Sequence, residues 1–266
     1  EQTGTSVDLD LYDAVDRSTA DLLELALTAE DAALSVAGVK QSDGAGAGIE
    51  KSHVLMASTT GFHREFDRSA ASASLSVFAE HENWDNETDY DYSSAVYFSD
   101  LEDGAKIGKN AGERAVRRLN PRKIESRTMD VVLEPRLARG LLGTLAGAVN
   151  GAGIARGTSF LKDSLGAEIF PPDLSVLENP LKKRGAASRP CDAEGLPCAP
   201  LALVDKGVLT SWLLDLRSAR KLGLKSNGHA ARGLGSNPRP SASNLTLAGG
   251  KATPRELCAD IKRGLY

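Results

Sequence analysis

Histidine is the side chain most used for proton transfer and metal binding near neutral pH, and the chain carries it at four separated positions: His53, His63, His81 and His229. None of them forms an HExxH pair, in which two histidines on one helical face bind zinc. His229 lies in a Gly- and Ser-rich stretch that predicts a loop. We therefore take it as the best-placed polar candidate for contacting a ligand at a groove, with an ordinary surface histidine as the alternative.

Other reactive side chains give weaker patterns. Cys191 and Cys198 are separated by six residues, unlike the close pairs of structural zinc sites, so ordinary loop cysteines are the better interpretation. Ser159 lacks the GxSxG context of a serine nucleophile. Asp192 and Glu194 can form a carboxylate pair for acid–base chemistry, although two carboxylates in a loop are more often solvated charges.

The run SDGAGAG, residues 42–48, is the most glycine-rich candidate for a phosphate-binding loop. Its glycines do not follow the GxGxxG spacing, and no helical pattern comes after them. A flexible turn before a strand is the better interpretation.

The elements that would position these residues are organised around the stretch from Met129 to Leu165. Val131–Leu133 predicts a short buried strand, and Pro135 suits the first turn of a helix. One face of that helix carries Leu137, Leu141 and Leu145, and a neighbouring face carries Gly143, Gly147 and Gly151. Because glycine in a helix costs about 1 kcal/mol against alanine, we expect another element to pack closely on the glycine face.

The charge distribution predicts two domains. Residues 1–103 contain 22 acidic and 5 basic side chains and the remainder 14 and 27, which gives net charges of −17 and +13. We expect an acidic α+β domain over residues 1–120, truncated at its start, and a β-rich domain over 121–266, truncated at its end. The fold class is therefore α+β, with a mainly β second domain that contains the Gly-rich strand–helix unit.

In the first domain, Ser18 and Asp21 predict a capping box that opens a helix reaching Val36. Its apolar side is expected to carry Leu23, Leu27 and Leu34. Strands are predicted at 49–59, 62–67 and 71–79. Asp100 is predicted to cap a second helix with Ile107, Ala111, Ala115 and Leu119 at helical spacing.

The second domain is predicted to contain mainly short strands and long loops. Strands are expected at 167–170, 174–178, 201–204, 208–214 and 245–247. Asp205-Lys206-Gly207 is a hairpin signal. A short helix is expected over 216–224, and Pro254 suits the start of a last helix reaching Arg263. The loops 179–200 and 226–244 are long enough to be either functional or disordered.

The composition of the 266-residue chain is that of an ordinary soluble globular protein, with 41% hydrophobic and 26% charged residues. No apolar run reaches the roughly 18 residues that a membrane-spanning helix needs, and no signal-peptide pattern is present. Three cysteines, an odd number, favour a reducing cytoplasm. The dispersed basic charges of the second half argue against a nucleic-acid partner.

Several longer runs resemble one known family. They are ERAVRRLNPRKIES (113–126), RGTSFLKDSLGAEIFP (156–171), DAEGLP (192–197), VLTSWLLDLRSARKLGLKSNGHA (208–230) and the tail from Glu256 to Tyr266. Together they resemble the TldD/PmbA family, also described as modulators of DNA gyrase, and more closely its PmbA (TldE) branch. The similarity covers nearly the whole chain, and family members are longer at both ends.

The resemblance implies a cytoplasmic, metal-dependent peptidase that acts on small or unfolded peptides, matures microcin precursors and degrades an antitoxin. Its working unit is a TldD–TldE heterodimer, in which TldD binds zinc through an HExxxH helix and a distant cysteine. Aligned on the shared RGTSF run, the HExxxH positions fall on Gly143, Thr144 and Ala148. None of these residues can bind zinc or act as a general base. The ligand cysteine would lie beyond Tyr266.

We therefore expect the non-catalytic TldE-type subunit of a heterodimeric zinc peptidase, with no cofactor in this chain and zinc in the partner. Activity is expected only with a TldD-like catalytic subunit, although the isolated chain could pair with itself. The alternatives are a self-sufficient metallopeptidase and a non-enzymatic protein that binds gyrase or another protein. The loops 156–165, 191–198 and 226–236 are expected to line a peptide channel. The expected substrate-binding residues are Ser159, Phe160, Asp192, Glu194, Arg220 and His229.

Overall fold

The computed structural model describes residues 7–59, 61–80, 86–248, 250–259 and 261–265. Its helices are α1 (Thr19–Leu34), α2 (Gly104–Arg118), α3 (Pro135–Ala148), α4 (Gly151–Arg156), α5 (Leu216–Leu222) and α6 (Pro254–Ala259). Its strands are β1 (Val39–Ala57), β2 (His63–Glu80), β3 (Asn86–Ala95), β4 (Asp130–Val131), β5 (Ser175–Glu178), β6 (Leu201–Asp205), β7 (Val208–Leu209), β8 (Ala230–Ala231), β9 (Arg239–Pro240), β10 (Leu245–Ala248) and β11 (Gly264–Leu265). None of the helices in these ranges is long and apolar enough to cross a bilayer.

The first region is an antiparallel sheet in the order β1-β2-β3, with α1 and α2 packed on one face. Alternate residues of β2, including Leu75 and Val77, point into the core and meet Ile107 and Ala111 of α2. Helices segregated on one face of an antiparallel sheet make an α+β arrangement, which confirms the predicted fold class.

The run SDGAGAG does not form the expected loop but lies within β1, paired along its length with β2. Ala45 and Ala47 pack against the core, while Gly46 and Gly48 have open space where a side chain would be. The strand therefore continues through this run because its alanines supply a buried face at period two. The predicted strand starts at 49 and 71 were therefore wrong: β1 begins at Val39, and β2 runs without interruption from His63 to Glu80.

Strand β3 was missed in the sequence, where residues 83–97 carry an acidic and aromatic pattern. Residues 81–85, which include His81, lie outside the described part of the chain. The strand buries the carboxylate of Asp89, which receives hydrogen bonds from Arg136 at 2.7 Å and from the backbone N–H of Tyr90. A buried acid paired across the fold is a tertiary feature, so strand propensity did not indicate it.

Helix α1 begins with the predicted capping box: the Ser18 hydroxyl accepts from the Asp21 N–H, and the Asp21 carboxylate accepts from the Ser18 N–H. The predicted apolar face was wrong, because Leu23, Leu27 and Leu34 are exposed and the buried residues are Ala29 and Ala33.

The cause is the close approach of α2, which places Gly104, Gly108 and Gly112 against α1. A Cβ on Gly108 would lie 1.9 Å from the carbonyl oxygen of Ala29. Small residues on both helices therefore form the contact, and the leucines are left outside. Helix α2 has the predicted buried face with Ile107, Ala111 and Ala115, but its cap is Asp103, since Asp100 ends a preceding short turn of 3₁₀-helix.

The second region contains an antiparallel sheet in the order β10-β5-β6-β7 with its own hydrophobic cluster, which includes Val176, Leu203 and Leu213. The predicted hairpin is confirmed: Asp205 pairs with Val208 across a two-residue turn. Both turn residues, Lys206 and Gly207, have positive φ, as a type I′ turn requires.

Other boundaries of the second region differ from the predictions. The segment 167–170 contributes only the bridge of Glu168 to Val208, and the strand expected to reach 214 ends at Leu209. The last helix ends at Ala259, and the chain then pairs Gly264–Leu265 in parallel with β4. The boundaries of such short strands depend on pairing with residues distant in the sequence, which local patterns do not indicate.

Helix α3 begins at Pro135 as predicted, but its faces are more exposed than its sequence suggested. Leu137 and Leu141 are exposed by 59% and 60%, and of the leucine stripe only Leu145 is buried. No atom lies within 4 Å of a Cβ built on Gly143 or Gly147. The expected close packing on the glycine face was therefore wrong for Gly143 and Gly147, because only the end of α3 reaches the core. It is confirmed for Gly151 at the start of α4, where a Cβ would lie 2.6 Å from the carbonyl oxygen of Leu213.

Two glycine substitutions should distinguish the closely packed glycines of α2 from the open glycines of α3. Gly108→Ala places a methyl group against backbone and should lower the free energy of unfolding by about 3 kcal/mol. Gly143→Ala adds a methyl group in open space and should raise it by up to about 1 kcal/mol through helix propensity. Urea denaturation followed by circular dichroism measures both. Equal effects of the two substitutions would contradict the packing described for α1 and α2.

Candidate functional site

A cleft of about 510 Å³ opens where the end of the β1–β2 hairpin meets two loops of the second region. We call it the hairpin cleft. Its walls are residues 54–58 of β1 and the following turn, Phe62, Phe66 and Arg68 of the returning chain, and the loop residues Arg189, 191–194 and 230–234. The predicted channel loops 191–198 and 226–236 thus meet at one cavity, whereas the loop 156–165 does not line it.

The cleft exists because the two faces of the hairpin are covered at different ends. From Ala73 to Ala79, alternate residues of β2 are buried beneath α1 and α2. Nearer the turn, the residues of that same face, Glu65 and Asp67, are exposed, and the opposite face, which carries Phe66 and Arg68, is partly covered. The hairpin therefore projects past its helices and turns its other face toward the second region.

Asp192 fixes the loops that line the cleft. Its carboxylate is 1% exposed and accepts backbone N–H bonds from Glu194 at 2.9 Å, Leu196 at 3.0 Å and Ala230 at 3.1 Å. The last bond joins the loops 191–198 and 226–236. With both oxygens occupied by main-chain donors, Asp192 positions the cleft wall, and its predicted contact with substrate would require these bonds to open.

His229 is fully buried, not exposed in a flexible loop as its sequence suggested. Its Nδ1 lies 2.8 Å from the carbonyl oxygen of Asn227. Its Nε2 lies 3.2 Å from a Glu178 oxygen that is off the axis of the ring N–H, so the contact is electrostatic and not an aligned hydrogen bond. A side chain without exposed surface cannot touch a peptide in this conformation, and the observed contacts give it a structural role.

Glu178 is the buried partner of His229. Its carboxylate accepts hydrogen bonds from the N–H of Ser243 at 2.7 Å and the hydroxyl of Ser243 at 2.8 Å. Burial alone would raise the pKa of Glu178, but the contacts with His229 and Ser243 outweigh it and hold the pKa below its ordinary value of 4.5. The carboxylate is therefore ionised at neutral pH.

Glu194 lines the hairpin cleft, whereas Arg220 does not line it but is near enough for its charge to act on Glu194. Glu194 is partly buried and accepts a 2.7 Å hydrogen bond from the N–H of Leu216, the first residue of α5. Burial raises the pKa of the Glu194 carboxyl despite that bond and the opposing charge of Arg220. Arg220 is exposed on α5. The predicted substrate contacts of these two residues stay predictions.

Ser159 and Phe160 lie apart from the cleft. The Ser159 hydroxyl donates to the carbonyl oxygen of Ala148, the last residue of α3, at 2.5 Å and accepts from the N–H of Leu161 at 3.1 Å. It therefore secures the end of α3. Phe160 is 79% exposed, so its side chain is accessible to a partner or a ligand. Their predicted substrate binding stays a prediction.

The cysteines of this region are poor nucleophiles. Cys191 and Cys198 are buried free thiols, and burial raises the pKa of Cys191 and raises that of Cys198 to about 12. Both groups stay protonated near neutral pH, whereas nucleophilic attack needs the thiolate. This agrees with their interpretation as ordinary loop cysteines.

The positions that align with the HExxxH zinc motif lie on α3 and do not fit a metal. Gly143 and Ala148 have no donor side chain, and the Thr144 hydroxyl donates to the carbonyl oxygen of Gly140 at 3.0 Å. Within the part of the chain that the structure describes, no group of three or more His, Cys, Asp and Glu side chains is arranged to hold a metal ion.

The histidine on the exposed face of the hairpin contacts acids. His53 Nδ1 lies 2.8 Å from Asp67, and Nε2 lies 2.9 Å from Glu65. The hydrogen bond with Asp67, followed by the charges of both acids, raises the pKa of His53 despite some desolvation. This exposed cross-strand cluster is on the face opposite to Phe66 and Arg68, outside the cleft.

Sequence reasoning missed the residues that the hairpin contributes to the cleft, above all Phe66 and Arg68, together with Arg189. Period-two alternation in HREFDR places Arg64, Phe66 and Arg68 on one face. That signal was available, but it does not say which face is covered.

Comparison with known proteins gives the class of the chain. Residues 12–119 match the model of the PmbA/TldA metallopeptidase central domain, and residues 126–266 match that of the C-terminal domain. The Metalloprotease PmbA of Escherichia coli O157:H7 is 37% identical over 224 residues, which cover 84% of this chain and 50% of that protein. The Metalloprotease PmbA homolog of Haemophilus influenzae is 34% identical, with 84% and 49% coverage.

Solved structures show the same fold as this chain. A candidate modulator of DNA gyrase from Bacteroides thetaiotaomicron superimposes with a TM-score of 0.87 at 26% identity, covering 98% of this chain and 57% of that one. TldE from Thermococcus kodakarensis shares the fold, with a TM-score of 0.73 at 18% identity, covering 99% and 62%.

The fold and the matches define a metalloprotease-like protein built from a central and a C-terminal domain. The chain belongs to the PmbA/TldD family. It spans about half the length of the curated relatives it matches.

The buried Glu178 should make stability depend on pH. Because its folded-state pKa lies below 4.5, its stabilisation is complete above that value and is lost as pH falls through the folded-state pKa. From about pH 6 to about pH 3, the wild-type free energy of unfolding should fall more steeply than that of Glu178→Gln, which has no titrating group there. Urea denaturation at several pH values measures this. Parallel curves would contradict the assignment.

Proposed function

We propose that this chain is the non-catalytic, TldE-type subunit of a heterodimeric peptidase whose zinc is bound by a TldD-like partner. The observation that carries the proposal is α3, on which Gly143, Thr144 and Ala148 occupy the HExxxH positions implied by the family resemblance. A helix with these residues supplies neither zinc ligands nor a general base.

The outer surface of α3 supports a role in assembly. Leu137 and Leu141 lie one helical turn apart and are both mostly exposed, and the neighbouring positions Gly143 and Gly147 are open. Exposed leucines beside glycines allow another backbone to approach closely and exclude water. We assign this surface to the TldD-like subunit.

The hairpin cleft supports a role in peptide binding. Among the described residues, β1 is an edge strand that pairs only with β2, and residues 54–57 of this edge form one wall of the cleft. An extended peptide can add to such an edge through main-chain hydrogen bonds with little sequence preference. The family resemblance implies small or unfolded peptides in the cytoplasm as substrates, with peptide maturation and antitoxin degradation as the activities, and a strand edge of this kind is compatible with such substrates.

Peptidase assays of each subunit alone and of their mixture test the proposal. We expect no cleavage of an unfolded peptide by this chain, little by a TldD-like subunit, and cleavage at least tenfold faster on mixing, because the site is completed only in the heterodimer (about 1.4 kcal/mol per factor of ten). Cleavage by this chain alone would favour a self-sufficient metallopeptidase. Tight binding to gyrase without any effect of the TldD-like subunit would favour a non-enzymatic modulator.

A matched pair of leucine substitutions tests the assembly surface. Leu141→Glu should weaken association with the TldD-like subunit by about tenfold or more, because it places a charge in a desolvated contact. Leu23→Glu changes an equally exposed leucine of α1 and should leave association unchanged; the two side chains are 60% and 56% exposed. Analytical ultracentrifugation measures both. Equal association of the two variants would remove α3 from the interface.

A further inference from the structure

Two partly buried arginines, Arg68 and Arg189, line the hairpin cleft without a carboxylate partner, and the exposed Arg232 lines it too. Arg68 donates to the carbonyl oxygens of Ala186 at 2.8 Å and Ser188 at 3.0 Å, and Arg189 donates to that of Ser241 at 2.9 Å. Both are partly buried, and among the residues that the structure describes their partners are these backbone carbonyls and no carboxylate. Carbonyl partners position the guanidinium groups but leave both positive charges uncompensated.

The two charges also act on each other. Burial and then the nearby charge of Arg189 lower the pKa of Arg68. The Nε of Arg189 is buried and has no hydrogen-bond partner. Desolvated like charges are unfavourable, and a carboxylate bound in the cleft would relieve their repulsion, since a guanidinium binds carboxylates through two parallel N–H bonds.

The acids of the cleft do not supply that carboxylate. Both oxygens of Asp192 accept backbone N–H groups, and Glu194 accepts from the backbone of Leu216. These acids are therefore engaged by the loops that they hold in place, whereas the arginines remain the cationic part of the wall.

The rest of the cleft suits an extended peptide. Val54, Met56, Phe62 and Phe66 give an apolar surface beside the free edge of β1. In an added strand, successive side chains point to opposite sides, so one side can rest on this apolar surface while a neighbouring acidic group reaches the arginines.

We propose that the hairpin cleft binds an extended peptide through the edge of β1 and recognises a carboxylate of that peptide with Arg68 and Arg189. The carboxylate is either the peptide C-terminus or an Asp or Glu side chain. This inference rests on the proposed peptide-binding function and specifies the substrate class: peptides with an acidic group next to apolar residues.

Fluorescence anisotropy with the unmodified chain tests the inference. The probe is a short labelled peptide with apolar residues and one Asp, prepared with Asp or Asn and with a free or amidated C-terminus. The form with neither carboxylate should bind about tenfold more weakly than the best form, because charged hydrogen bonds are lost. The form that restores affinity identifies the source of the carboxylate.

Arginine variants test whether Arg68 and Arg189 cause the preference for the acidic peptide. Arg189→Gln and Arg68→Gln should remove most of the preference for the acidic peptide. Arg122→Gln, which removes the same charge from an exposed loop position, should retain it. Arg189→Lys, which keeps the charge but not the forked geometry, should give an intermediate preference.

Equal affinity for all four peptides, or no binding of any of them, would overturn the inference, and so would an unchanged preference in Arg189→Gln. These outcomes are separable from failure of the proposed function. Cleavage on mixing with a TldD-like subunit, without any preference for acidic peptides, would leave the subunit role standing and remove only the carboxylate site. A preference for acidic peptides without cleavage on mixing would leave the carboxylate site standing and remove the subunit role.

Discussion

The register of the β1–β2 hairpin is the constraint on which both regions depend. One face of its strands is buried beneath α1 and α2, and farther out the other face meets the second region, where Arg68 donates to the carbonyl oxygens of Ala186 and Ser188. A slip of one residue would reverse both faces at once. The same register places residues 54–57 and Phe66 along the hairpin cleft. The pairing that forms the sheet therefore also positions residues of the candidate site.

Local features of the fold could be predicted from the sequence because they depend on neighbouring residues. The capping box at Ser18, the helix start at Pro135 and the turn at Lys206-Gly207 are of this kind. Which face a helix buries depends on what packs against it. Glycines at helical spacing occur in both α2 and α3, yet those of α2 contact another backbone, whereas Gly143 faces open space.

The candidate site, too, could be predicted from the sequence only in part. The sequence pointed to the loops that line the hairpin cleft, but the roles of individual residues depend on contacts across the fold. Asp192 and His229 face inward, the first toward backbone N–H groups and the second toward Glu178. The alternation of HREFDR places Arg68 on one face of β2, but the lack of a carboxylate beside Arg68 and Arg189 is a property of the folded chain that no local pattern indicates.

We propose that peptide hydrolysis is divided between two subunits: the α3 positions of this chain carry no zinc ligands, and the hairpin cleft would contribute peptide contacts. Zinc content of the purified heterodimer, with each subunit also analysed alone, tests that division most directly. We expect about one zinc ion per heterodimer, carried by the TldD-like subunit, and none retained by this chain. Stoichiometric zinc bound to this chain alone would contradict it.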